Sequence, residues 1–467
     1  MKRQLCWLRN DLRIGDNSAL LEALNRGPTI VIYVATPDQW QAHDDAPIKL
    51  DFWRRNLQEL ARELSSYKIP LRLFQVPDYR DIPALLEKIF QHWDIDALHY
   101  NIDYPLNERR RDEVVSALCR EKSVGVFAYE DHCLLPPELV LTGQDKPFRV
   151  FTPYANKCRE YLEVSGPPGL HELSTENKQP IFALVPLAEE RKLDEIDWPQ
   201  QQAVWQELWP AGEAEARRRL TEFVDGRLQD YQQKRDFPAQ AGTSTLSPYL
   251  NAGVISVRQC WKQALDSGSN ASVRSWCNEL LWRDFYQYVV WHYPHVCKHQ
   301  AWNPAYTNIQ WRSDEDDFSR WSQGETGFPL IDAAMKQLLA TGWMHNRLRM
   351  LVAMFLSKNL LIDWRWGERW FMQHLVDGDF SSNNGGWQWS ASTGTDAAPY
   401  FRIFNPIRQS ERFDPQGEFI KNYIPGLRNE SASSIHDPAK LEADYWEPLV
   451  ELKFSRERAL AAFKYKA

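Results

Sequence analysis

From Leu5 to Tyr129 the chain alternates between short β-prone runs and longer amphipathic stretches, and no other feature limits its fold as strongly. The runs are Leu5–Leu8, Thr29–Ala35, Leu71–Val76, Ala97–Ile102 and Val124–Tyr129. Between them lie stretches such as Ile48–Tyr67, Ile82–Trp93 and Leu106–Glu121, with apolar residues at helical spacing. Strands separated by helices predict a parallel sheet covered by helices, because parallel neighbours need a long crossover. No GxGxxG follows the first run, so a dinucleotide held in the usual glycine turn is not expected here.

The pattern then changes twice. Pro136, Pro137, Pro147, Pro153, Pro167, Pro168, Gly169, Pro180 and Pro186 interrupt any long element, which predicts a connector. Beyond it the periodicity is helical, over Glu213–Asp230, Ser256–Asp266, Val273–His292, Phe328–Thr341 and His345–Leu361. A chain of 467 residues exceeds one ordinary core. The expectation is an α/β domain over 1–131 with a Rossmann-like parallel sheet, a connector over 132–202, and an all-α domain over 203–467.

Charge and cysteines bound the partners. The net charge of −8 argues against a surface coated for nucleic acid, though not against a local basic patch. Seven scattered cysteines with no CxxC suit reduced thiols. No apolar run approaches a membrane span, and charge breaks the N-terminal apolar stretch too early for a signal peptide, so the cytoplasm is expected. No HExxH, zinc spacing, GxSxG or P-loop is present, so no metal is expected. Of 21 tryptophans, 14 lie from Trp261 onward. They suit a large helical core, or a role in stacking and electron transfer; position decides between these, not abundance.

Four segments carry chemistry. On a helix, Glu279, Trp282, Arg283 and Tyr286 share one face at i, i+3, i+4 and i+7, while Leu281, Phe285, Tyr288 and His292 make another. The first face suits a flat, hydrogen-bonding ligand, or is a partly exposed surface with a Glu–Arg pair. After Gly342 breaks a helix, Arg347 and Arg349 fall on different faces, so they serve different partners or are both solvated. Asp377–Trp389 has neither helical nor strand period and predicts a tight loop, which its acids, amides and glycines mark as a candidate site. Thr243-Ser244-Thr245-Leu246-Ser247 offers hydroxyls and backbone N–H groups to a phosphate, or is a capping motif.

Together these segments resemble the photolyase/cryptochrome family. The match runs from Cys6-Trp7-Leu8-Arg9-Asn10-Asp11-Leu12-Arg13 to the 377–406 region, and is most similar to bacterial class I cyclobutane pyrimidine dimer photolyases. The resemblance implies a helical C-terminal domain holding FAD, reduced when active. Tyr231, Thr243, Ser244, Thr245, Leu246, Ser247, Trp276, Asp377, Gly378 and Asp379 are its expected contacts. Asn383 would lie beside flavin N5, and Arg349 and Asp377 would form an ion pair near the ring. Glu279, Trp282, Asn346, Met350 and Trp389 would form the dimer pocket. Photolyases for the (6-4) photoproduct carry two histidines where this helix places Asn346 and Met350. Trp387, Trp364 and Trp311 resemble an electron-transfer chain. Arg235, Arg283, Arg347 and Arg402 resemble DNA contacts, which lets an acidic protein hold DNA through a few placed arginines.

The implied function is light-driven repair of pyrimidine dimers in DNA by a monomer. The alternative is a cryptochrome-type photoreceptor, against which stand Asn383, the dimer pocket and the short tail after Arg428. A flavin oxidoreductase that does not bind DNA is a third reading. His43, Asn107, Glu108, Cys297 and Lys298 resemble a site for a folate antenna, methenyltetrahydrofolate.

Overall fold

The computed structural model describes residues 3–166, 169–174, 177, 179 and 183–464. Pro167, Pro168 and Pro180 of the expected connector lie outside the described residues, as do Met1 and Lys2. Strands β1 (Arg3–Leu8), β2 (Thr29–Ala35), β3 (Leu71–Gln75), β4 (Ile95–Asn101) and β5 (Gly125–Tyr129) are parallel. They run in the order β5-β4-β1-β2-β3, and β6 (Glu190–Arg191) adds antiparallel beside β3.

Residue alternation along β1 explains how both sheet faces are covered. Leu5 and Trp7 face a core closed by Leu85 and Ile89 of helix Ile82–Trp93 and Val115 of helix Leu106–Glu121. Cys6 and Leu8 face a second core that continues into the helical region through Tyr249, Leu280 and Phe285. Such two-faced burial gives β2 its unbroken buried run, Thr29–Ala35, apolar from Ile30 onward. Strand order reverses at β1, so the chain parts between β1 and β4 and opens a crevice at their carboxyl ends.

Buried ion pairs lock the sheet to the helices. Arg258 of helix Val257–Asp266 bonds Asp16 at 2.8 Å and Asp131 at 2.7 Å, and Glu213 accepts from Ile14 N at 2.9 Å. No described helix is long and apolar enough to cross a membrane.

Two expectations are corrected. The connector does hold a long element, helix Phe151–Ser165. Pro153 sits in its first turn, where a missing N–H breaks no helical bond. The expected loop over 377–389 is largely the helix Phe380–Ser390. Asp379 caps it by accepting from Ser382 N at 2.8 Å. Its glycines and amides hide the period because the helix is enclosed on several sides: a Cβ on Gly385 would enter the Tyr286 ring, while Asn384, Trp387 and Gln388 are buried.

Candidate functional site

Helix Ala271–His292 divides its faces as its spacing demands. Leu281, Phe285 and Tyr288 are buried, with His292 against Tyr288. Glu279, Trp282, Arg283 and Tyr286 all line one cavity of about 480 Å³. Trp282 stacks on Phe151 at 3.8 Å between ring centres, which fixes the indole plane from the far side. The Glu279 carboxylate meets Arg235 at 2.7 Å. Enclosure by the cavity walls raises its pKa, and Arg235 opposes that rise.

The facing wall comes from helices Asn346–Met354 and Phe380–Ser390, which contribute Asn346, Arg347, Arg349, Met350, Asn383, Trp387 and Trp389. A deeper recess of about 290 Å³ opens from the same space, with Asp377, Asp379, Arg349 and Asn346 lining both. Tyr231, Thr243, Ser244, Thr245, Leu246, Ser247 and Trp276 line that recess. Arg349 grips Asp377 through both carboxylate oxygens, at 3.0 and 2.7 Å. Arg347 instead bonds Asp236 at 2.6 Å, so the two arginines do serve different partners. Asn383 is anchored by its amide to Glu368 O at 2.9 Å.

The cavity and the adjoining recess together suit a flat, polar cofactor. A Cβ on Gly386 would meet nothing within 4 Å, so bare backbone faces the opening. Trp387 Nε1 and Ser390 Oγ lie buried behind the same wall and find no hydrogen-bond partner among the described residues. Hydroxyls at 243–247 and the Arg349 guanidinium supply donors.

Some expected residues stand elsewhere. Gly378 turns away: its carbonyl accepts from Lys49 Nζ at 2.7 Å, and the residue lines a separate cleft. Arg283 donates to His132 O at 2.6 Å and to Asp284 at 3.0 Å, deep in the cavity wall. Arg402 is exposed and makes no ion pair among the described residues. Trp387 sits against Gly367 of helix Trp364–Met372, whose first residue is Trp364. Trp311 adjoins the same cluster, and Arg312 N beside it bonds Leu361 O at 2.7 Å. The three indoles thus share one apolar cluster that starts at the cavity wall.

Sequence reasoning missed Trp343 and Gln287. Trp343 Nε1 donates to Ser247 Oγ at 3.2 Å, and Gln287 donates to Asp379 at 3.1 Å. Gln287 follows Arg283 by four residues and Trp343 follows the helix-ending Gly342, so both carried a positional signal. The αL backbone of Gly342 (φ 67°) turns the chain there, against Ile48.

The separate cleft, of about 210 Å³, lies at the sheet's switch point. Trp7, Arg9, Tyr33 and Asp103 come from the strand ends; Glu368, Arg369 and Phe380 close it from the helices. His43, Asn107, Glu108 and Cys297 line it, whereas Lys298 is exposed and outside its lining. Glu108 accepts from Tyr79 OH at 3.2 Å and lies 3.7 Å from His43, which contacts Asn107 at 3.1 Å. Burial pushes the Cys297 thiol up to about 11, so it stays protonated.

Residues 4–175 match the family model for DNA photolyase, and residues 276–465 match that for the FAD-binding domain of DNA photolyase. The chain belongs to the DNA photolyase family. A deoxyribodipyrimidine photo-lyase from Vibrio cholerae is 42% identical, over 99% of both chains. The crystal structure of a bacterial class III photolyase from Agrobacterium tumefaciens superposes with a TM-score of 0.85 at 32% identity, over 100% of this chain and 98% of the other. An archaeal photolyase from Sulfolobus tokodaii, solved with two FAD molecules, gives 0.85 at 31% identity, over 99% of this chain and 100% of that one. The α/β sheet with a helical C-terminal region is the photolyase architecture, and FAD is its cofactor.

Proposed function

We propose that this chain is a deoxyribodipyrimidine photo-lyase that repairs cyclobutane pyrimidine dimers in DNA with light. One observation carries the reading: apart from Gly378, the residues expected around the flavin and those expected around the dimer line two adjoining cavities that share Glu279, Asn346, Arg349, Asp377 and Asp379 in their walls. Reduced FAD held there would supply the light-driven electron that opening of the cyclobutane ring needs. The protein's part is placement and electrostatics. Asp377, Asp379 and Arg349 hold the deep end, while Trp282 and Trp389 flank an extruded base pair at the mouth. Glu279, its proton affinity raised by enclosure, hydrogen-bonds the dimer.

His345 supports cyclobutane over (6-4) repair. Its Nδ1 accepts from Arg347 N at 3.1 Å as a helix cap, and burial pulls the ring down to about 4. A neutral, buried, capping imidazole is not placed to donate a proton, and the mouth itself presents Asn346 and Met350. Arg235, Arg347 and Arg402 contact DNA phosphates in this reading, and Trp387, Trp364 and Trp311 restore the reduced cofactor. The switch-point cleft takes methenyltetrahydrofolate, with Glu108 facing its pterin N–H groups. The enzyme works as a cytoplasmic monomer.

The test is direct. Reduced protein and a duplex with one thymine dimer are irradiated or kept dark. Restored thymines in light alone are expected; a dimer untouched in both would overturn the proposal.

A further inference from the structure

Beneath the segment that follows helix Phe380–Ser390 lies a lysine with no part in the chemistry above. Lys358 is fully buried, within a π-helical turn, Phe355–Asn359, that continues helix Asn346–Met354. Such turns are often kept where a side chain must be re-aimed. Its Nζ donates to Ser392 Oγ at 2.7 Å, to Arg402 O at 2.9 Å and to Tyr400 O at 3.5 Å. Ser392 Oγ donates onward to Ala398 O at 2.5 Å. Phe463 of the C-terminal helix Leu452–Lys464 closes the other side, 5.9 Å from Nζ.

Three acceptors match the three N–H bonds of an ammonium, and they come from both ends of one loop. No carboxylate pairs with Lys358 among the described residues; burial first, and then the Arg402 charge, pull its pKa down to about 7. A buried unpaired cation is costly, so the acceptors must hold it in place. The loop it braces does not line the cavity but backs two of its wall residues, Trp389 and Trp282. Ala398 N bonds Trp389 O at 3.2 Å, and Asp396 accepts from Phe151 N at 3.1 Å, with Phe151 stacked on Trp282. Ser392 and Asp396 sit at φ 61° and 46°, a backbone shape that needs support. At the outer end, Phe401 and Arg402 are both exposed.

We propose that Lys358 is a positioning residue for DNA, tying residues 392–402 into the one shape that presents Phe401 and Arg402 beside an extruded dimer. The role rests on the repair reading above and acts on affinity, not on the photochemical step.

Flavin-loaded Lys358→Met and Ser392→Ala test it, one cutting the brace from below and one from the loop. In each, the dark Kd for a duplex with one thymine dimer should rise about tenfold, as expected for lost charge-assisted hydrogen bonds. The Kd for undamaged duplex should move less, and repair per absorbed photon at saturating DNA should stay at the parent value. Parent Kd values in both variants would overturn the proposal, as would a repair yield that falls in step with affinity, which would place the fault in the flavin cavity. If Lys358→Met fails to retain flavin, Ser392→Ala decides alone. A parent protein without light-dependent repair sinks the repair reading; a repairing parent with unaffected variants sinks only the role of Lys358.

Discussion

The Glu279 carboxylate and the Arg235 guanidinium meet at 2.7 Å at the rim of the cavity, with Arg235 also held by Ser275 Oγ at 3.1 Å. Glu279 is therefore aimed before any substrate arrives. Glu279→Ala removes an anion and leaves Arg235 held by Ser275 Oγ and, at 3.9 Å, by Asp236, so dark binding of DNA is expected to persist. Repair per absorbed photon should fall about tenfold or more, the scale of one charge-assisted hydrogen bond. Flavin content is expected to be unchanged. Quantifying restored thymines per photon in the variant checks this, and an unchanged yield would sink the role.

Trp387 is buried in the cavity wall and continuous with the cluster containing Trp364 and Trp311. Repair returns the electron it uses, so a tryptophan chain serves only to regain the reduced state. Trp387→Phe should block photoreduction of oxidised flavin while sparing repair by chemically reduced protein. Flavin absorbance under illumination with an external reductant is the measurement; photoreduction at the parent rate would show that another path carries the electron.

Two candidate DNA contacts, Arg402 and Arg347, differ in their surroundings. Arg402 is free of ion pairs among the described residues, while Arg347 bonds Asp236 at 2.6 Å and lies over Phe413. Each replacement by alanine should lower the salt dependence of DNA binding by about one counterion. Arg347→Ala should weaken binding more, because it also bares the Asp236 charge. Titrations at several salt concentrations decide it; a slope equal to the parent's would remove that residue from the phosphate contacts.

The α/β half was legible because strand and helix periods each face one layer; helices Ile82–Trp93 and Leu106–Glu121 fall where their apolar spacing puts them. The Glu279 face was legible for the same reason. Helix Phe380–Ser390 was not, since a helix touched by Tyr286, Glu368 and a cavity has no single apolar stripe to show. Nor was Lys49, whose tie to Gly378 O spans 329 positions and leaves no local trace. The pairing of Arg235 with Glu279 likewise depends on a tertiary meeting of two segments.

His345 gives a pH signature. Its folded pKa, about 4, lies below the unfolded value of about 6.5, so the folded state binds fewer protons between the two. Its stabilising share is present above pH 6.5 and is lost as the pH falls toward 4, by on the order of 3 kcal/mol at the limit. His345→Asn keeps a side-chain acceptor for Arg347 N without a titrating ring. Denaturant unfolding should therefore show a shallower loss of stability between pH 6.5 and 4 in the variant. Parallel curves for variant and parent would contradict a buried neutral His345.

The switch-point cleft, proposed above to take the folate, gives Glu108 a testable role. Glu108 is buried at the carboxyl edge of the sheet, where strand order reverses and α/β folds take ligands. Its neighbours Tyr79 and His43 hold the carboxylate in place, while Arg9 and Arg111 beneath it are engaged with Asp103 and Asp112. Glu108 is thus left as an acceptor pair for the amino and N–H groups of a pterin, which a deazaflavin does not present in the same way. Lys298, expected to offset the glutamate tail, is exposed outside the lining, so its loss should matter less than that of Glu108. Glu108→Ala should release methenyltetrahydrofolate without loss of FAD or of dark DNA binding, and Lys298→Ala should lower its occupancy only partly. Mass analysis of the chromophore released from native protein checks both; a deazaflavin or second FAD in its place would overturn the assignment.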